Sequence, residues 1–472
     1  MLAAVVAIGS QGLRAQEPPT IEPGEPGASQ PAPESLVGNL QLAGEQKPAG
    51  DLAARVNELE KALKKMTDKE AADKAKAASK PTLTLGGRML ADAVFFHQNA
   101  ASRAALTDAQ DSVFFRSLRL VASGDMFDVF SYKLEVDFAG KTDASGLPAN
   151  NPSFWEQVAF KDVYFQVKEL PLLGNVRVGH FKEPFSLEQL ESTLVQTFME
   201  RSVADVFAPA RNMGVMALDF NEEQTRTWAY GVFRQMDETP PYASADNGGW
   251  AFAARTTWLP WYDEPSDGRG LLHLGLGYRY LDFDNATQRI RQRPETNAGP
   301  RVVDTGNVGH MQNVNEIGPE LAFVYGPFSL QSEWIGAFYN RGDGFDNLYF
   351  NGYYIYASYF LTGEHRTYNR REGRFDRVRP FENFFRVRTE DGSVATGKGA
   401  WELAYRYSNI SLDDAAAGVL GGRAQDHTFG VNWYLNPYMR LMCNYVRTNA
   451  STANNGADVP MDILEMRAQF DF

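Results

Sequence analysis

The chain has 472 residues, 43% of them hydrophobic and 12% aromatic, with a net charge of −13. It is longer than the roughly 100 to 200 residues of one small domain, its acidic balance argues against a nucleic-acid binder, and its one cysteine, Cys443, excludes an intramolecular disulfide and Cys-rich zinc sites. Mean hydropathy is −0.38 and the longest apolar run is Met1–Ile8, far short of the ~20 residues of a membrane helix.

Every aromatic residue lies beyond residue 80, so residues 1–80 cannot build an ordinary core. Residues 1–15 join the apolar stretch Leu2–Ile8 to Leu13 and Ala15, the spacing at the end of a secretory signal, with cleavage expected after Ala15. The basic n-region is missing, which makes the segment a signal-peptide remnant or a plain apolar tail. Residues 16–50 are rich in proline and glycine without apolar periodicity and read as a disordered linker. From Asp51, Leu52, Val56, Leu59, Leu63 and Met66 alternate spacings of four and three, an a/d seam. Residues 51–80 are therefore expected to form a short coiled-coil oligomerisation helix; a solitary solvated helix is the alternative.

Beyond Pro81 the dominant period is two. Tyr132, Leu134, Val136 and Phe138 alternate with Ser131, Lys133, Glu135 and Asp137, and Leu464, Met466, Ala468, Phe470 and Phe472 alternate with Glu465, Arg467, Gln469 and Asp471. Sixteen such strands are expected, at 82–97, 112–123, 130–139, 158–168, 175–182, 213–221, 227–236, 250–259, 270–283, 311–325, 328–340, 351–361, 399–410, 425–435, 438–449 and 461–472. Each has one greasy and one charged face and is long enough for the ~10 residues that cross a bilayer in a β-barrel. Short connections follow even strands and long ones follow odd strands, with 362–398 as the exception. The fold expected over 81–472 is an all-β, 16-stranded antiparallel transmembrane barrel in an outer membrane, with polar side chains facing a water-filled lumen.

Four stretches carry a more specific likeness. They are Gly179–Glu188 (GHFKEPFSLE) with Phe198–Arg201 (FMER); Tyr359–Arg366 (YFLTGEHR) with Arg377–Pro380 (RVRP); Trp401–Ser408 (WELAYRYS); and Gly430–Pro437 (GVNWYLNP) with Arg440–Tyr445 (RLMCNY). Together they resemble the phosphate-selective porin O/P family over roughly 81–472. The resemblance implies a homotrimeric outer-membrane channel for small anionic or neutral solutes, whose third loop narrows the lumen. Within that loop, Ser186 as cap and Leu187, Leu190 and Leu194 at helical spacing suggest a short helix. Lys182, Glu188, Glu191, Glu200, Arg201 and Arg211 are candidates for the constriction, and pairing of Glu200 and Arg201 with the barrel wall is the structural alternative.

On the polar strand faces Arg119, Lys133, Arg177, Arg279, Arg406, Arg440 and Arg467 stand against Glu135, Asp137, Glu402, Glu465 and Asp471. This mixed wall suits a weakly selective porin about as well as an anion filter. Arg366, Arg370, Arg371, Arg374, Arg377 and Arg379 crowd the exceptional segment 362–398 and by strand parity belong at the periplasmic mouth. No nucleophile elbow, HExxH helix or P-loop occurs, and the six histidines show no metal-ligand spacing, so neither an enzyme nor a cofactor is expected. Three functional readings remain: passive diffusion with a lean to anions such as phosphate; a general porin acting mainly as an envelope-anchoring barrel, with the N-terminal segment touching the cell wall; or a soluble β-sandwich binder, which would extract without detergent.

Overall fold

A computed structural model describes residues 56–69, 80–139, 158–236, 248–388, 392–452, 456 and 458–472. The chain divides into two units, Met1–Ala72 and Asp73–Phe472. In the first, residues 56–69 are helical, and Val56, Leu59, Leu63 and Met66 of the expected seam are all exposed. Leu52, the signal remnant and the linker lie outside the described residues.

The second unit is a closed barrel of sixteen strands: β1 (Thr84–Gln98), β2 (Ser112–Met126), β3 (Phe130–Asp137), β4 (Ala159–Leu170), β5 (Gly174–Lys182), β6 (Arg211–Phe220), β7 (Arg226–Arg234), β8 (Trp250–Tyr262), β9 (Gly270–Gln288), β10 (Val308–Tyr325), β11 (Phe328–Arg341), β12 (Leu348–Phe360), β13 (Ala400–Asp414), β14 (Val419–Asn436), β15 (Met439–Thr452) and β16 (Asp458–Asp471). All neighbours are antiparallel, and β1 closes on β16 with Arg88 opposite Asp471 and Gln98 opposite Met461. Closure leaves no edge strand, so every ladder amide has a partner without water.

Burial is inverted relative to a soluble protein. Val113, Leu120, Val232 and Phe429 stand exposed on the outer face, whereas Arg406, Arg440, Glu465 and Asp426 are buried inside. Such an outer band is stable only against lipid. Phe472 continues it from the last strand, with its amide on the Gly87 carbonyl at 3.1 Å.

The expected loop asymmetry holds through β11, and beyond it the connections 342–347, 415–418 and 453–457, expected to be long, are short. The long segment between β12 and β13 leaves the count of sixteen intact. It turns back into the barrel, pairing Tyr368–Asn369 with Arg374–Phe375. There Tyr368 Oη meets His273 Nδ1 at 2.6 Å. Gly373 takes φ +62° at the tip, where a Cβ would stand 2.8 Å from the hydroxyls of Thr227 and Thr257, so a side chain fits neither the backbone nor the space.

Candidate functional site

The connection 183–210 enters the lumen and is fixed there by the wall. Ser186 Oγ accepts from Gln189 N at 3.2 Å and caps a one-turn helix, Leu187–Leu190. Leu194, expected on the same helix, lies past its end. The amides of Leu187 and Glu188 donate to the two carboxylate oxygens of Glu333 at 3.0 and 2.6 Å. Further along, Gln469, Arg440, Asn432, Arg467 and Arg406 donate to the carbonyls of Leu194, Gln196, Thr197, Met199 and Glu200. One row of wall donors thus fastens the backbone of the loop.

Side chains complete the clamp. Glu200 receives Arg116 and Arg467 at 2.7 Å each; burial alone would raise its carboxyl, but Arg116 and then Arg467 hold it down at about 2. Glu188 pairs with Arg406 at 3.0 Å and accepts from Ser202, yet burial pushes it up to about 7. A second inward connection, 289–307, brings buried Glu295 onto Arg406 at 2.6 Å. The returning segment after β12 meets the loop as well: Arg366 pairs with Glu191 at 3.2 Å, lies 3.6 Å above the Phe375 ring and donates to Gln331.

These insertions pack against the side of the lumen formed by β9–β16. On the other side lies a cavity of about 630 Å³ lined from β1–β8, the inward loop and the returning segment. Its lining carries twelve basic side chains, Arg88, Arg116, Arg119, Lys133, Lys161, Arg177, Lys182, Arg201, Arg211, Arg255, Arg371 and Arg374, against five carboxylates, Glu135, Asp162, Asp205, Asp219 and Glu372. A chain of net charge −13 thus lines this cavity with an excess of basic side chains.

The expected site residues separate along that division. Of the loop candidates, Lys182, Arg201 and Arg211 line the cavity; Lys182 Nζ donates to the carbonyls of Gln189 and Glu191, Arg201 donates to those of Glu188 and Gln189, and Arg211 pairs with Asp162 at 2.6 Å. Glu188, Glu191 and Glu200 do not line it; they are the anchors just described, because each is held by an arginine of the wall or returning segment, with Glu188 and Glu191 buried and Glu200 half-buried. Of the wall candidates, Arg119, Lys133 and Arg177 line the cavity. Arg119 holds Glu135 and Asp137 at 2.7 and 2.6 Å, and Lys133 holds Asp162 and Glu135. Arg177 stacks 4.2 Å from the Tyr164 ring centre and donates to Gln166. Arg279, Arg406, Arg440 and Arg467 lie on the side packed by the insertions: Arg279 pairs with Glu183 and Glu316, and the other three grip the loop.

Of the mouth candidates, Arg371 and Arg374 reach the cavity. Arg370 is fastened to Glu264 at 2.7 Å, Arg377 to Asp471, and Arg366 is buried, while Arg379 is exposed. Sequence reasoning passed over Arg88, Arg116, Lys161 and Arg255. Strand parity alone places Arg88 and Arg255 inward. Arg116 and Lys161 need two register shifts: Ser117 pairs with Leu90 but Phe115 with Ala91, and Val163 pairs with Leu134 but Phe160 with Val136. Each bulge turns two consecutive residues into the lumen.

The family model for phosphate-selective porin O and P matches residues 84–472. The chain belongs to that family. It forms an outer-membrane channel, and both family and fold indicate transport rather than catalysis. A relative, porin O of Pseudomonas aeruginosa, is 26% identical over 412 residues, covering 79% of this chain and 85% of the relative. The solved OprB of Pseudomonas putida has the same fold at 11% identity, with TM-score 0.50 over 86% of this chain and 96% of that one. An anion-selective porin from Comamonas acidovorans aligns with 14% identity and TM-score 0.49, covering 83% of this chain and all of the other.

Proposed function

We propose that the passage conducts small hydrophilic anions, inorganic phosphate among them, by passive diffusion. The observation that carries this reading is the excess of twelve cations over five carboxylates in the lining of the cavity. An anion entering the cavity exchanges part of its hydration shell for charge-assisted donors. Arg88, which donates to Thr193 Oγ1 at 3.2 Å and approaches Ser192 Oγ at 3.4 Å, stands beside two hydroxyls able to join it in holding an oxyanion. Lys182, Arg201 and Arg211 offer a succession of further sites. Many sites of moderate strength allow release as well as capture, the condition for conduction.

Reconstitution into planar bilayers tests this. Stepwise conductance is expected, with a zero-current potential of anion-selective sign in a KCl gradient and a chloride current reduced by added phosphate. Cation preference would overturn the anion reading.

The assembly we infer is a homotrimer gathered in part by the helix at 56–69. Four apolar seam residues exposed on an isolated helix are unfavourable in water, and bundling with the helices of neighbouring copies buries them.

A further inference from the structure

Residues 381–398 form a feature that the conducting passage leaves unused. Phe385–Arg388 pairs antiparallel with Val394–Gly397, setting Arg386 opposite Thr396 and Arg388 opposite Val394. The base of this hairpin is attached to the outside of the barrel at its periplasmic rim. Phe384 N donates to the Leu435 carbonyl at 2.6 Å, and the Phe384 ring stands edge-on to Trp433 at 4.7 Å. Trp433 Nε1 donates to the Lys398 carbonyl at 2.9 Å and its ring stacks on Trp401 at 4.9 Å. By strand alternation Trp433 shares its face with Val431 and Phe429, and Trp401 with Leu403. All three partners are exposed on the outer band.

The hairpin thus continues the lipid-facing surface beyond the last turn of the strands. It carries Phe381, Phe385 and Val394 at 65%, 59% and 55% exposure. Phe385 holds φ +76°, a left-handed conformation unfavourable for a bulky aromatic. Arg386 and Arg388 are exposed on the face opposite Phe385, a face they share with Val394, the cross-strand partner of Arg388, and Arg379 and Glu382 flank the aromatics; the sequence adds Glu390 and Asp391 after the arginines. Local charge is close to balanced, so the aromatics dominate whatever the hairpin binds. Aromatic rings beside arginines at the rim of an apolar band suit the headgroup layer, where rings sit among glycerol and carbonyl groups and guanidinium meets phosphate.

We propose that this hairpin is a membrane foot, whose partner is the headgroup layer of the periplasmic leaflet. Phe381, Phe385 and Val394 enter that layer, and Arg386 and Arg388 contact lipid phosphate. The full chain with Cys443→Ser, carrying a fluorophore on Val394→Cys, is placed in phospholipid vesicles containing nitroxide-labelled lipid; the same fluorophore on Phe429→Cys marks the mid-wall. Headgroup nitroxide is expected to quench the probe at 394 and acyl-chain nitroxide the probe at 429. Combining Phe381→Ser and Phe385→Ser is expected to abolish lipid quenching at 394 and open it to aqueous iodide, with single-channel conductance unchanged. Iodide quenching without lipid quenching in the parent chain would overturn the proposal, as would energy transfer between labelled copies in place of lipid quenching. If the double variant fails to insert, lipid quenching of the parent alone decides. Lipid quenching at 429 shows that the barrel itself is in the bilayer, so failure of the foot is distinguishable from failure of the membrane reading.

Discussion

Single charged residues in this barrel follow two opposite designs. Arg467 is buried and fully committed, gripping Asp92 and Glu200 at 2.7 Å each, whereas Arg177 lies along the cavity with a ring and an amide as its neighbours. Only the second kind leaves positive field for a passing solute. Arg177→Gln is therefore expected to lower the anion-to-cation permeability ratio several-fold at 0.1 M salt, where the Debye length is about 10 Å, and far less at 1 M, where it is about 3 Å. Zero-current potentials at the two salt concentrations measure this, and an effect independent of salt would count against a field mechanism. Glu200 gives a pH prediction. Its carboxyl is depressed from 4.5 to about 2, so its contribution to holding the loop, about 3 kcal/mol, is fully present above pH 4.5 and is lost as pH falls toward 2. Quiet channels at pH 5 and flickering, enlarged conductance near pH 2 are expected, and Glu200→Gln is expected to bring that noise up to neutral pH.

At the scale of elements, strand existence was legible because one rule governs most strand positions: apolar side chains face lipid and polar ones face inward. The segments expected at 130–139 and 328–340 correspond to Phe130–Asp137 and Phe328–Arg341. Legibility failed where periodicity slips or where three dimensions decide. The bulges at Arg116 and Lys161 depend on pairing with a neighbouring strand, and no count along one strand reveals them. Polar faces also look alike whether they meet water or an inserted loop, so Arg406 and Arg177 could not be sorted from sequence. The 362–398 exception marked a real departure, but its direction rests on contacts such as Arg366 with Glu191, 175 residues apart. Removing one partner of a buried ion pair costs about 3–5 kcal/mol, so Arg366→Gln is expected to loosen this returning segment while the ladder between β12 and β13 persists. The readouts are faster chymotrypsin cleavage near Tyr368 and Phe375, larger conductance, and unchanged heat-modifiable migration of the barrel on gels. Cleavage at the parent rate would show that Arg366 does not hold the segment.

At the scale of the whole molecule, the barrel and the helical unit answer to different solvents. The barrel closes within one chain through β1 and β16, so its permeation path does not require the first eighty residues. The helix at 56–69 carries Val56, Leu59, Leu63 and Met66 exposed, and in the trimer proposed above they are buried between copies. Each leucine buried in such a seam contributes roughly 1.5–3 kcal/mol, and an aspartate in its place adds the cost of an unpaired charge. The Leu59→Asp, Leu63→Asp double variant is therefore expected to lower the temperature at which the detergent-solubilised trimer dissociates, with single-channel conductance and ion preference unchanged. Native mass and thermal dissociation in detergent provide the measurement. A parent and variant that dissociate alike would mean that barrel walls alone hold the copies together and that the seam faces some other partner. Deleting residues 16–80 extends the same logic: a channel keeps its conductance, whereas a barrel serving chiefly as an envelope anchor loses its attachment to the cell wall.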